Sequence, residues 1–182
     1  MKGYELKIKE IADEKENNDK HIIGKIGGNP TYLPDEYEDI VDYFVMEIYN
    51  TEVIKGNEDV IGWQLYQDTE FGGIITEVIE IKKGAQLYKE NMVPTRRWIN
   101  EYLIYCEEKT WEDDIPEDEI WEEQLISMIY GNPGKDIFDE CEFSELEYLG
   151  IIYEDLCPYC DFSFGNEYII LAKSKDGNII VL

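Results

Sequence analysis

Basic side chains and histidine are what this chain most lacks. Sixteen Lys and Arg stand against 42 Asp and Glu, His21 is the single histidine, and the formal net charge is −26. A surface so poor in cations has little with which to neutralise phosphates, so direct binding of DNA or RNA is not expected. The only arginine pair, Arg96-Arg97, adjoins acidic sequence and is expected to pair with it internally. Nucleophilic hydrolysis needs a base beside the nucleophile, usually a histidine. His21 lies next to a Gly-rich stretch, where a surface or locally hydrogen-bonded role is expected. With 42 carboxylates, no spacing singles out a catalytic pair. Neither GxxxxGK[ST] nor GxGxxG occurs, which removes the common phosphate loops. No enzymatic activity and no cofactor are expected.

Cysteines are also few. Cys157-Pro158-Tyr159-Cys160 is a CxxC, but Cys106 and Cys141 stand alone and supply no second pair for a four-ligand zinc site. A thioredoxin-type CxxC opens a helix in a βαβ unit, whereas this one precedes a β-hairpin pattern. Reduced structural cysteines and no metal are expected. No run of 18 apolar residues is present, and Met1–Ile8 is too charged and alternating for a signal peptide. These features predict a cytoplasmic protein.

What is present argues for a folded domain. The chain has 182 residues, 43% of them hydrophobic, with 14 Tyr, 6 Phe and 4 Trp, and is expected to be a single acidic domain spanning residues 1–182. A chain this long buries roughly 70% of its unfolded surface. Acidic disordered chains are poor in aromatic and β-branched residues, and this one is rich in both. Solubility alone needs a net charge of magnitude only about 2–8. A functional acidic face is therefore favoured over a solubilising surface, a halophilic origin or lineage bias.

The hydrophobic pattern reads as strands, then helices, then a hairpin. Residues 4–11 alternate as a half-buried strand, and 12–20 form a polar loop. Tyr43–Tyr49, Val60–Gln67 and Ile74–Ile81 read as strands between Gly-bearing turns. Pro94-Thr95 offers a helix cap, with Trp98, Ile99, Tyr102, Leu103 and Cys106 on one helical face. A second helix is predicted from Asp114-Ile115-Pro116 to Gly131-Asn132-Pro133, with Trp121, Leu125, Met128 and Ile129 inward. Ser144-Glu145-Leu146-Glu147 has capping-box spacing. Glu167–Lys173 and Asn178–Leu182 flank Asp176-Gly177 as a C-terminal β-hairpin. The predicted fold is α+β: a mainly antiparallel sheet, an acidic helical middle and that hairpin. No internal repeat is legible.

Acids concentrate in two segments. Ten of the seventeen residues from Glu107 to Glu123 are acidic: Glu107, Glu108, then Glu112, Asp113 and Asp114, then Glu117, Asp118 and Glu119, then Glu122 and Glu123. Asp136, Asp139, Glu140 and Glu142 begin a second group. Single-sign blocks of this kind mark interaction surfaces or disordered tails, and Trp111 and Trp121 argue against a tail. These residues are the expected partner-binding set, with some of Trp111, Trp121, Tyr130, Tyr148 and Tyr153 as apolar anchors. The expected function is a non-enzymatic inhibitor or decoy. Its carboxylates would stand in for phosphates on the basic surface of a nucleic-acid-binding protein such as a nuclease. Immunity against a nuclease toxin and anti-restriction or anti-CRISPR action fit equally.

One stretch carries a family likeness. His21-Ile22-Ile23-Gly24-Lys25-Ile26-Gly27-Gly28-Asn29-Pro30-Thr31-Tyr32-Leu33-Pro34 resembles the Lys-x-Gly-Gly-x-Pro-x-x-x-Pro motif of the YwqG-like family. Phe44–Tyr49 is similar to the strand that follows it there, and Asp161–Gly165 to a late Trp-Gly-Asp-x-Gly element, with Phe in place of Trp. The resemblance covers about a quarter of the chain. It implies a β-rich α+β fold without established enzymatic chemistry, and some relatives are thought to be immunity proteins. The competing expectation is accordingly a YwqG-like housekeeping domain with its own ligand. In physical terms, Gly27-Gly28 permits a tight positive-φ turn.

Overall fold

The computed structural model describes residues 2–11, 21–68, 75–95, 100–110, 126–131, 145–156 and 167–182. Runs of β-branched and aromatic residues form ten strands among them: β1 (Lys2–Glu10), β2 (Ile22–Ile26), β3 (Tyr43–Tyr49), β4 (Val60–Gln67), β5 (Ile75–Lys82), β6 (Tyr102–Thr110), β7 (Met128–Tyr130), β8 (Leu146–Tyr153), β9 (Tyr168–Ser174) and β10 (Ile179–Val181). They make one antiparallel sheet in the order β10-β9-β8-β7-β1-β6-β2-β3-β4-β5, curled into a nearly closed barrel. The two ends of the sheet approach each other: a Cβ on Gly177, in the β9–β10 turn, would lie 3.7 Å from the Asn57 nitrogen just before β4. All ten strands send side chains into one interior cluster, among them Leu6, Ile26, Met46, Trp63, Ile104, Ile129, Leu149, Leu171 and Ile179, with Val78 of β5 packed against it.

The α+β expectation is wrong. Strand accounts for 56% of the described residues and helix for 6%, the latter in 3-10 turns such as Tyr37–Asp39 and Glu154–Leu156. Tyr102, Leu103 and Cys106, read as one helical face, lie in β6, the strand between β1 and β2. Tyr102, Ile104 and Cys106 alternate into the interior cluster, and Leu103 is buried on the other face. A strand covered on both faces reads as a continuous apolar run, and such a run does not reveal its period. Met128 and Ile129, predicted to end a second helix, belong to β7 and pair with both β1 and β8. The capping-box reading fails likewise, because Leu146 starts β8. The acidic helical segment is therefore not found among the described residues; 111–125 lie outside them. The strands predicted at 4–11, 43–49, 60–67 and 74–81 and the C-terminal hairpin form with small shifts of boundary, whereas β2 was not anticipated as a strand.

A repeat invisible in the sequence appears in the strand order. Exchanging β1–β5 with β6–β10 gives the same order read from the opposite edge of the sheet. In each half one strand leads a four-stranded meander, and the two leading strands, β1 and β6, pair at the centre. Local details agree. β2 runs into Gly27 and Gly28 (φ 74° and 65°), and β7 ends on Tyr130 and Gly131 (φ 56° and 76°). Both pairs are followed by Asn-Pro in the sequence. The second strand of each meander carries a bulge, at Val45 in β3 and at Leu149 in β8.

Candidate partner-binding groove

Two layers of residues on the outer face of the first meander build the site. The lower layer is a row of three polar side chains, Lys25 on β2, Glu47 on β3 and Gln64 on β4, which stand directly opposite one another across the strands. Lys25 and Glu47 are only 7% and 3% exposed, and Gln64 is fully buried. Buried charges are tolerated only when paired and hydrogen-bonded, and these are. Lys25 donates from Nζ to the Asn29 carbonyl at 2.5 Å and to Glu101 Oε1 at 2.5 Å, with Glu47 Oε1 at 4.0 Å. Glu47 accepts from the Thr31 backbone N–H at 3.0 Å, the Thr31 hydroxyl, the Tyr49 hydroxyl at 3.1 Å and Gln64 Nε2 at 3.3 Å. Gln64 Nε2 also donates to the Tyr32 carbonyl at 2.7 Å, and its Oε1 accepts from Tyr66 at 2.8 Å. Burial first, and then the Glu47 charge, push the Tyr49 and Tyr66 hydroxyls above the ordinary phenol range.

The upper layer is the segment from Asn29 to Asp42, which this row fastens to the sheet. Leu33 and Ile40 fix its apolar underside by packing on Phe44, Tyr66 and Val93. Its outer surface carries Asp35, Glu36, Glu38, Asp39 and Asp42 with no Lys or Arg. Between it and β5 lies an open cavity of about 310 Å³, lined among the described residues by Asp35, Glu36, Asp39, Glu77 and Glu80, with Ile40 and Ile79 as apolar floor and Lys82 as the one cation. The Glu77 carboxyl is raised above its usual value, chiefly by partial burial and then by the Asp42 and Glu36 charges. One Glu80 carboxylate oxygen is buried without a hydrogen-bond partner among the described residues. Val41, 72% exposed, projects beside these acids.

The predicted site residues fare differently. Glu107 and Glu108 are exposed on β6, where Lys7 bonds Glu107 and Lys2 lies 3.6 Å from Glu108. Lys109 answers Glu5 at 3.5 Å, so this part of the expected acidic surface meets the lysines of β1. Glu112, Asp113, Asp114, Glu117, Asp118, Glu119, Glu122, Glu123, Asp136, Asp139, Glu140 and Glu142 lie outside the described residues, as do Trp111, Trp121, Cys141, Cys157 and Cys160. Of the other expected anchors, Tyr153 is buried in a second outer cluster with Tyr148 packed against it, and Tyr130 is half-buried against the core. Cys106 is buried in the core, and desolvation pushes its thiol up to about 11, which disfavours the thiolate. The acids of 35–42 were missed, although five in eight residues without a base are visible in the sequence. No protein-family model, curated protein or solved structure matches the chain.

Proposed function

We propose that this chain is a non-enzymatic inhibitor that binds the basic, nucleic-acid-binding surface of another protein, with carboxylates in place of phosphates. The observation that carries this reading is the acidic groove: five carboxylates beside an apolar floor, with Lys82 the single cation in its lining among the described residues. Like charges crowded beside apolar surface are in surplus until a cation arrives; the Glu77 carboxyl is raised first by partial burial and then by the Asp42 and Glu36 charges. Complementary fields raise association rates and fix orientation. Val41 and the floor supply the apolar contact that charge alone lacks. Glu107, Glu108 and the acids of 112–123 and 136–142 remain in the proposed partner-binding set. Among the described residues no helix is long and apolar enough to cross a membrane. The proposed compartment is the cytoplasm, and the proposed settings are toxin immunity and anti-restriction or anti-CRISPR action.

A second reading, a YwqG-like domain with a ligand of its own, draws on the motif residues. Lys25 and Gly28 both meet Glu101, and Lys25 anchors the cap. A panel of purified basic nucleases separates the two. The inhibitor reading expects capture of a nuclease at low salt, loss of its activity and competition by duplex DNA. Nucleases bound with undiminished activity on DNA would count against it.

A further inference from the structure

The barrel contains its own control for the buried polar row. At the equivalent place in the second half, Met128, Ile151 and Ile170 stand opposite one another on β7, β8 and β9. They are buried like their counterparts, but inside a cluster of apolar and aromatic side chains with Tyr153 and no charged member. The fold therefore requires burial at this row and not polarity. Buried ion pairs seldom stabilise more than well-packed apolar residues of the same volume, so Lys25, Glu47 and Gln64 call for another reason. Their contacts supply it. The Asn29 carbonyl, the Thr31 N–H and hydroxyl and the Tyr32 carbonyl all belong to the first four residues of the cap, and all end on these three side chains.

We propose that Lys25, Glu47 and Gln64 are positioning residues. They hold the Asn29–Asp42 cap in one place and thereby preform the groove lined by Asp35, Glu36, Asp39, Glu77 and Glu80. The identity of the occupant rests on the proposed function above; the positioning does not. A flexible cap would have to be ordered at the moment of binding, and a preformed one avoids that cost.

The test transplants the second half's row into the first: Lys25→Met, Glu47→Ile and Gln64→Ile together. No acid lining the groove is altered. The variant is expected to unfold at nearly the wild-type temperature while amide exchange across Asn29–Asp42 accelerates about tenfold or more, with β3 and β8 unchanged. A nona-arginine peptide at low salt is the binding probe. Its affinity should fall about tenfold, mainly through a faster off-rate. Unchanged cap exchange in a folded triple variant overturns the proposal. Should the triple variant not fold, Thr31→Val removes the hydroxyl that reaches Glu47, and Thr31→Ser restores it. Faster cap exchange in the first and wild-type exchange in the second support the proposal, and equal exchange in both overturns it. If wild-type protein does not bind the peptide although its cap exchange responds as expected, the positioning role stands and the acidic-groove reading fails.

Discussion

Lys25 and Glu47 are each held by several partners, and the structure makes their removal asymmetric. Lys25→Met alone leaves Glu47 buried without its cation, and Glu47→Ile alone leaves Lys25 with Glu101 as its one carboxylate besides the Asn29 carbonyl. Breaking a buried pair from one side costs about 3–5 kcal/mol, whereas replacing the whole group by apolar residues is nearly neutral. Urea unfolding of the two single variants and the triple variant should show that order. A triple variant less stable than either single one would contradict it. Glu77 offers a second residue-scale check. Its folded-state carboxyl is raised, so its contribution to stability is fully present below the ordinary carboxylate range and is lost as pH rises through the raised value. Glu77→Gln should therefore stabilise at neutral pH and lose that advantage near pH 4. The side chain remains largely solvent accessible, so the gain should stay within about 0.5 kcal/mol. A gain equal at both pH values would show that the Glu77 charge is not its source. At this scale the sequence was partly legible. Gly27-Gly28 was read as a positive-φ turn and forms one. That Lys25 would turn inward to hold a carbonyl and two carboxylates had no local signal, because Glu47 and Glu101 are 22 and 76 residues away.

Among the elements, β6 explains why the fold was half legible. Strands with one polar face announce their period, as Lys2–Glu10 does. β6 lies between β1 and β2 and is covered on both faces over Tyr102–Cys106. Tyr102, Leu103 and Cys106 satisfy a helical spacing as well as a strand buried on both faces, and only the pairing with β1 decides. Ile104, opposite Ile8 and 1% exposed, is where the two readings part. It points into the barrel interior, so Ile104→Ala should cost about 2–5 kcal/mol, read as a lower urea midpoint. A helix spanning Trp98–Cys106 would instead gain from alanine at a position outside its apolar face, and unchanged or increased stability would revive that reading. The second meander was legible at its C-terminal hairpin for the opposite reason: Asp176-Gly177 is a local turn signal, and Gly177 adopts φ 85°.

For the whole molecule, the two halves cannot form independently as drawn by the chain. The leading strand β1 sits beside β7 of the other half, and β6 sits beside β2. A cut between β5 and β6, within 83–101, leaves each fragment without the strand that completes its meander. The fragments should be unfolded apart and should regain the wild-type tryptophan emission when mixed. A fragment that folds alone would show that the exchange of leading strands is not what joins the halves. The repeat was not legible because the halves share turn and bulge geometry and little sequence. Beyond Asn-Pro and the paired left-handed residues, the equivalent rows Lys25–Glu47–Gln64 and Met128–Ile151–Ile170 have no chemistry in common.

The excess of acid is a property of the entire chain, and only binding can show whether it is used. The most direct measurement is the affinity for a captured basic nuclease as a function of salt, for wild-type protein and for the variant Asp35→Lys, Glu36→Lys, Glu38→Lys and Asp39→Lys. The Debye length shrinks from ~10 Å at 0.1 M to ~3 Å at 1 M, so an interface of carboxylates against Lys and Arg must weaken steeply across that range. The account predicts such a slope for wild type, its loss together with inhibition in the charge-reversed variant, and exclusion of duplex DNA by bound inhibitor. Salt-independent binding, or equal inhibition by the reversed variant with DNA still held by the complex, would contradict it.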